Sequence, residues 1–269
     1  MVEANNELRE LQSREEFEIE RILSELSALI ASISGLIRLN YSNITLLAFT
    51  FACSELAYAM NATEPSIDSK GAVRLEKCRH PLIADGKAVP VTIEVGGLWS
   101  MLVITGPNTG GKTVSLKTLG LFSMMAQAGL QLPCEKASVR VFDEIFSDIG
   151  DEQSIEQSLS TFSSHMVNVA DILGRVGERS LVLFDELGSG TDPVEGAALA
   201  MSILEEVFER GALCAATTHY AELKAFALER DGICNASCEF DDHKVFRSMF
   251  HARVSFPCKV SCILSKFFT

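Results

Sequence analysis

The sequence predicts an α/β fold in which helices cover both faces of a sheet, preceded by an α-helical hairpin. Three observations lead there. From about Ala72 onward, short β-prone runs alternate with helical stretches, the pattern of a sheet built from strand–helix units. One of those runs passes through a glycine-rich loop directly into a helix. The first sixty residues instead repeat their apolar positions every three or four residues, which is a helical period.

A chain of 269 residues with 47% hydrophobic content is long enough to bury a substantial core. No run reaches the roughly 18 uninterrupted apolar residues of a membrane span, and Glu3, Glu7 and Glu10 stand where a signal peptide would be basic and apolar. The expectation is a cytoplasmic protein with no membrane contact. The eight cysteines are scattered through strand-like and helical runs, as reduced thiols are. Cys234 and Cys238, then Cys258 and Cys262, form two pairs four apart that match a zinc set in spacing alone. Cys234 and Cys238 fall in the strand-like run 233–240, where a thiol acts as a small apolar residue. The net charge of −13 argues against a field that holds nucleic acid over the whole surface. It is unevenly spread: no acid follows Asp242, while Lys244, Arg247, Arg253, Lys259 and Lys266 do.

Taken in order, residues 3–34 form a long amphipathic helix, free of proline, with Leu8, Leu11, Ile19, Leu26, Ile30 and Ile33 on one stripe. Glu15 and Glu18 interrupt any strict coiled-coil seam. The polar residues of 40–43 suggest a turn, and a second helix follows over 46–60. Strands are expected at 73–78, 89–95, 101–105, 181–185, 213–217 and 233–240, and helices at 113–128, 155–176 and 193–210. The domain reading is a helical arm over 1–65, an α/β domain over 70–242 and a divergent basic tail over 243–269.

The chemistry concentrates at strand ends. The apolar strand 101–105 runs into Gly106-Pro107-Asn108-Thr109-Gly110-Gly111-Lys112-Thr113, which fits G-x-x-x-x-G-K-[ST] in the required strand–loop–helix setting. The glycines let successive N–H groups turn inward around phosphate oxygens, and the helix start adds its positive dipole end. Lys112 would reach the outer phosphates of ATP, and the Thr113 hydroxyl would hold Mg²⁺. The strand 181–184 ends in Asp185 and Glu186, which suit a metal-side carboxylate and an adjacent general base. A third buried strand ends in Thr217-Thr218-His219, where the imidazole can hydrogen-bond a γ-phosphate or the attacking water. Between these motifs, Ser160 and Thr161 belong to a hydroxyl-rich helix start, which by itself is an anion-binding surface or a plain cap.

Together, Gly106–Thr113, Ser160-Thr161-Phe162, Asp185-Glu186, the Gly188–Asp192 loop and Thr218-His219 resemble the ATPase domain of the MutS family, itself related to ABC-type ATPases. The runs Asp148–Met166 and Asn5–Gln12 are most similar to the bacterial MutS-two branch, known for suppressing recombination and acting on collided ribosomes. The resemblance spans roughly residues 2–242. It implies a homodimer in which each ATP lies between one subunit's phosphate loop and the other's Ser160 and Thr161, with Asn108 also touching nucleotide. It further implies a loop at 188–192 that couples the two sites, and an N-terminal arm left over from the part that grips branched or mismatched DNA, or a ribosome.

Departures from the family pattern carry their own expectations. No Smr-type nuclease domain follows the ATPase motifs, and after Asp242 the expected Pro-Gly-Lys-Ser continuation is replaced by the segment 256–262. A truncated or frameshifted reading frame without the family's nuclease is therefore expected. Two other readings stand beside the ATPase: an ATP-binding, dimerising fragment that does not turn over, and a transporter ATPase subunit. The second lacks the Leu-Ser-Gly-Gly-Gln run, in whose place Ser160-Thr161-Phe162 stands.

Overall fold

A computed structural model describes residues 2–84, 88–106, 111–150 and 158–237, with residues 158–161 described by backbone only. The chain divides into two compact units, Met1–Glu55 and Leu56–Thr269.

The first unit is helical. Helix α1 (Val2–Ser32) has no buried residue, and α2 (Ser34–Ala59) follows after a break at Ile33 and runs on into the second unit. The helical pair is present, but the break sits near residue 33 and not at 40–43. Asparagine costs only a few tenths of a kcal/mol inside a helix, so two of them between Leu39 and Ile44 do not stop one. Thr45 even bonds back to the Tyr41 carbonyl at 2.8 Å, as helical threonines do. At the true break the Ser32 hydroxyl takes the Leu29 carbonyl at 2.6 Å, and Gly35 follows, the residue least committed to a helix. Exposed ion pairs, Arg14 to Glu10 and Arg21 to Glu18 and Glu25, decorate α1. Among the described residues no single helix is long and apolar enough to cross a membrane.

The second unit has two sheets. The larger is parallel throughout, in the order β6 (Glu144–Asp148), β7 (Ser180–Phe184), β8 (Leu213–Thr217), β4 (Met101–Thr105), β9 (Ile233–Ser237). A smaller mixed sheet runs β1 (Ser66–Asp68), β5 (Lys136–Arg140), β2 (Val73–Cys78), β3 (Val91–Val95). Strands β4, β7 and β8 are buried at every position, which is why they read as continuous apolar runs instead of alternating ones.

The period of two survives in which core each residue enters. Leu102, Ile104, Leu181, Leu183 and Ala215 face one cluster with α3 (Lys112–Gln127) and the small sheet. Met101, Val103, Val182, Phe184 and Ala216 face the other, against α4 (Ser158–Arg175), α5 (Pro193–Glu209) and α6 (Ala221–Glu229). One face of the parallel sheet is thus covered by α3 and a second sheet, not by helices alone. Gly120 lets α3 lie close on β7, since a Cβ there would sit 2.5 Å from Leu183 Cδ1.

Strands β1, β5 and β6 and helix α6 were not among the expected elements. Half-exposed strands such as β5, an inner strand of the small sheet with Lys136 and Arg140 at its ends, and the edge strand β6, with exposed Ser147, lack the apolar density that marks the central strands. Cys234 is buried in β9, while Cys238, Cys258, Cys262 and the whole stretch 243–269 lie outside the described residues. Among the described residues no group of three or more His, Cys, Asp or Glu is placed to hold a metal ion. Burial pushes the thiols of Cys78 and Cys234 up to about 12 and about 11, so both stay protonated and inert.

Candidate nucleotide site

All the chemistry-bearing residues that the structure describes gather at one edge of the parallel sheet, where its strands end. In a parallel sheet every strand finishes on the same side, so helix starts, loops and strand-end carboxylates collect there.

Gly106, at φ +123°, turns the chain away from β4, and Gly111, at φ +80°, delivers it into α3. Only glycine takes these angles without strain. Pro107, Asn108, Thr109 and Gly110 lie outside the described residues. Lys112, the first residue of α3, is 1% exposed, and its ammonium donates back to the Gly106 carbonyl. A buried ammonium is tolerated only where acceptors surround it, and the Gly106 carbonyl is one of them. Thr113 follows, half-buried, at the same helix start.

Strand β7 ends by releasing Asp185 and Glu186, both half-buried. Glu186 has φ +50°, in the left-handed region that side-chain-bearing residues avoid. Two hydrogen bonds hold it there. Its own N–H donates to Thr217 Oγ1 at 2.8 Å, and its carbonyl accepts from Ser189 N–H at 3.0 Å. The same Thr217 hydroxyl donates its proton to Asp185 Oδ1. One fully buried hydroxyl, 0% exposed at the end of β8, therefore fixes both acids. Sequence reading placed Thr217 merely as a strand end; nothing in its local context marks a bridging role, because that role depends on β8 lying beside β7. Thr217→Val, which keeps the shape and removes both bonds, is expected to cost about 1–3 kcal/mol of stability, and Thr217→Ser under about 1 kcal/mol. Urea unfolding of the two variants checks the difference.

The loop after Glu186 is tightly specified. Gly188, at φ +85°, lies so close to Gly196 of α5 that a Cβ on it would fall 2.4 Å from the Gly196 carbonyl oxygen. The Tyr220 hydroxyl donates to the Gly188 carbonyl at 2.9 Å, and Tyr220 stays a neutral phenol. Burial raises its pKa first, and the charges of Asp192, Glu186 and Glu222 add to this. Asp192 caps α5, its Oδ1 accepting from Val194 N–H at 3.0 Å and Glu195 N–H at 3.3 Å. His219 is exposed at the end of β8, its ring 4.4 Å from that of Tyr220.

Strand order sets the spacing among these groups. Because β8 lies between β4 and β7, the phosphate-loop strand and the acid pair are two strand intervals apart, about 10 Å. Ser160 and Thr161, in the first turn of α4, follow β6 in the chain, and β6 is three intervals from β4, about 14 Å.

Comparison with known proteins agrees with this arrangement. A family model described as MutS domain V matches residues 102–260, more than half of the chain and beyond Asp242. The chain is 56% identical over 242 residues to a protein named Endonuclease MutS2 from Halalkalibacterium halodurans, which covers 90% of this chain and 31% of the relative. Proteins of the same name from Brevibacillus brevis and Exiguobacterium sibiricum are 56% and 53% identical, again over 90% of this chain and 31% of their own length. The chain thus spans under a third of the length of these relatives. With its parallel sheet, glycine-flanked Lys112 and strand-end acid pair all inside the matched span, this chain belongs to the MutS family.

Proposed function

We propose that this chain binds Mg²⁺-ATP and hydrolyses it at a site shared between two copies, and that the resulting dimer cycle drives a cytoplasmic machine that handles DNA or ribosomes. The observation that carries the reading is the common sheet edge: a buried ammonium at the start of α3, which follows β4, and an acid pair just after β7, on strands about 10 Å apart with β8 between them.

Lys112, with the backbone N–H groups of the loop that Gly106 and Gly111 flank, would hold the outer phosphates. Thr113 and Asp185 present hard oxygen donors, the type magnesium prefers, directly or through its waters. Bound there, Mg²⁺ would supply electrostatic stabilisation of charge on the transferring phosphoryl group. Glu186, whose backbone is held by Thr217, would act as the general base that orients and deprotonates water. His219, exposed two residues beyond the intervening strand, would serve as a hydrogen-bonding sensor of the terminal phosphate. Ser160 and Thr161, in the first turn of the helix that follows the edge strand β6, would meet the nucleotide of a second copy, as the family resemblance implies. Asn108 and the rest of 107–110 complete the phosphate loop in this reading.

The nucleic-acid role is proposed from kinship: the relatives carry the name Endonuclease MutS2, and branched or mismatched DNA, or a ribosome, is the expected ligand of the assembled machine, with suppression of recombination as its outcome. In the domain reading proposed here, residues 1–65 form the arm toward that ligand and 70–242 the ATPase. The test of the composite site is light scattering of the purified chain. Mass is expected to double with Mg²⁺ and a non-hydrolysable ATP analogue and to return to monomer on its removal. A chain that stays monomeric with nucleotide bound would sink the shared site while leaving ATP binding intact.

A further inference from the structure

Three side chains beside the candidate site have no part in the roles above. Asp148 ends β6 and is buried, yet it is fully engaged. Its Oδ2 accepts from His165 Nδ1–H at 2.9 Å and its Oδ1 from Asn168 Nδ2–H at 2.8 Å, both from α4. Its backbone carbonyl accepts the N–H of Asp185 at 2.9 Å. The chain leaving β6 passes flush against the imidazole: a Cβ on Gly150 would stand 2.6 Å from His165 Cε1.

This cluster does more than attach a helix to a sheet. Val169 and Ile172 already bury α4's apolar side in the core. A polar network adds little net burial energy, but it admits one arrangement, because each donor must meet its acceptor. His165 lies in the N-terminal half of α4, and the Asp148 it bonds is tied by its backbone to Asp185. Thr161 lies four residues before His165, about 6 Å along the helix axis, and Ser160 one residue earlier.

We propose that Asp148, His165 and Asn168 are positioning residues: a latch that fixes the first turn of α4 relative to Asp185, so that Ser160 and Thr161 are presented at a set height to the nucleotide of a second copy. The proposal rests on the shared-site reading given above. The latch acts on the half-site this chain lends, not on the half-site it keeps.

The experiment uses the full chain, with His165→Leu breaking the latch and His165→Asn restoring an N–H close to the position of Nδ1. Gly150→Ala displaces the ring without altering the latch residues. His165→Leu and Gly150→Ala are each expected to lower ATP turnover by about ten- to a hundredfold, the effect of roughly ångström misplacement. Binding of a fluorescent ATP analogue to the isolated chain stays within about twofold, and His165→Asn recovers most of the turnover. Mixing His165→Leu with Lys112→Ala supplies the decisive arm. A mixed dimer pairs an intact phosphate loop from the first with an intact α4 from the second, so the mixture is expected to turn over at least about threefold faster than the mean of the two alone.

The latch is overturned if His165→Leu hydrolyses like the parent, if His165→Asn fails as Leu does, or if the mixture shows no gain. A parent chain that neither binds nor hydrolyses Mg²⁺-ATP overturns the shared-site reading, and the latch with it. A parent that turns over normally confines the failure to the latch.

Discussion

Glu186→Gln is expected to lower ATP turnover by roughly 10²- to 10⁴-fold, the usual range for loss of a positioned general base. Binding of Mg²⁺-ATP should remain within about twofold. The amide has the shape of the carboxylate and leaves the backbone bond from Glu186 N–H to Thr217 Oγ1 untouched, so the left-handed turn at φ +50° persists. What disappears is the proton acceptor. Phosphate release under saturating ATP, set against binding of a fluorescent analogue, separates the two effects. The variant should also accumulate as an ATP-held dimer, because closure is retained and the step that ends it is lost. Turnover equal to the parent's would assign the base to another residue and remove Glu186 from the mechanism.

Lys112→Ala acts on the other side of the site and in the opposite sense. Losing two charge-assisted hydrogen bonds to phosphate, at about 1.5 kcal/mol each, weakens nucleotide binding by at least about a hundredfold. Stability without nucleotide tells binding apart from folding. Lys112 is 1% exposed and its ammonium is donated to the Gly106 carbonyl, so removing it relieves a buried charge while leaving one carbonyl without that donor. The two effects oppose each other, and the melting temperature of the free variant is expected to stay within a few degrees of the parent's. Addition of Mg²⁺-ATP should raise the parent's melting temperature, by the equivalent of about 2.7 kcal/mol at a hundredfold excess over Kd. The variant should show no such rise. A variant that melts far below the parent without nucleotide would make Lys112 a structural residue.

The central strands were legible because burial on both faces leaves an uninterrupted apolar signature: 101–105 and 213–217 were placed to the residue, and 181–185 within one position. The glycine–lysine loop was legible for a different reason. Gly106 and Gly111 flank it at positive φ, which glycine adopts without strain, and few sequences match the whole pattern by chance. Where burial was partial the signal faded, as in β1, β5 and β6, whose exposed polar positions are Ser66, Asp68, Lys136 and Ser147. The helix break also escaped, since Asn40 and Asn43 are turn-prone in isolation but helical when a long apolar stretch surrounds them.

The sequence by itself determined where the central strands end and which residue types stand there: Lys112, Thr113, Asp185, Glu186 and His219 are read from residue type and strand-end position alone. It could not determine who stands beside whom. The tertiary structure placed β8 between β4 and β7, and that order turned Thr217 from a strand end into the hydroxyl that holds two acids. It likewise brought Asp148 to His165 and Asn168, seventeen and twenty residues away in the chain. Strand order has no local sequence signature, because it is chosen by how whole faces of helices and sheets bury against one another.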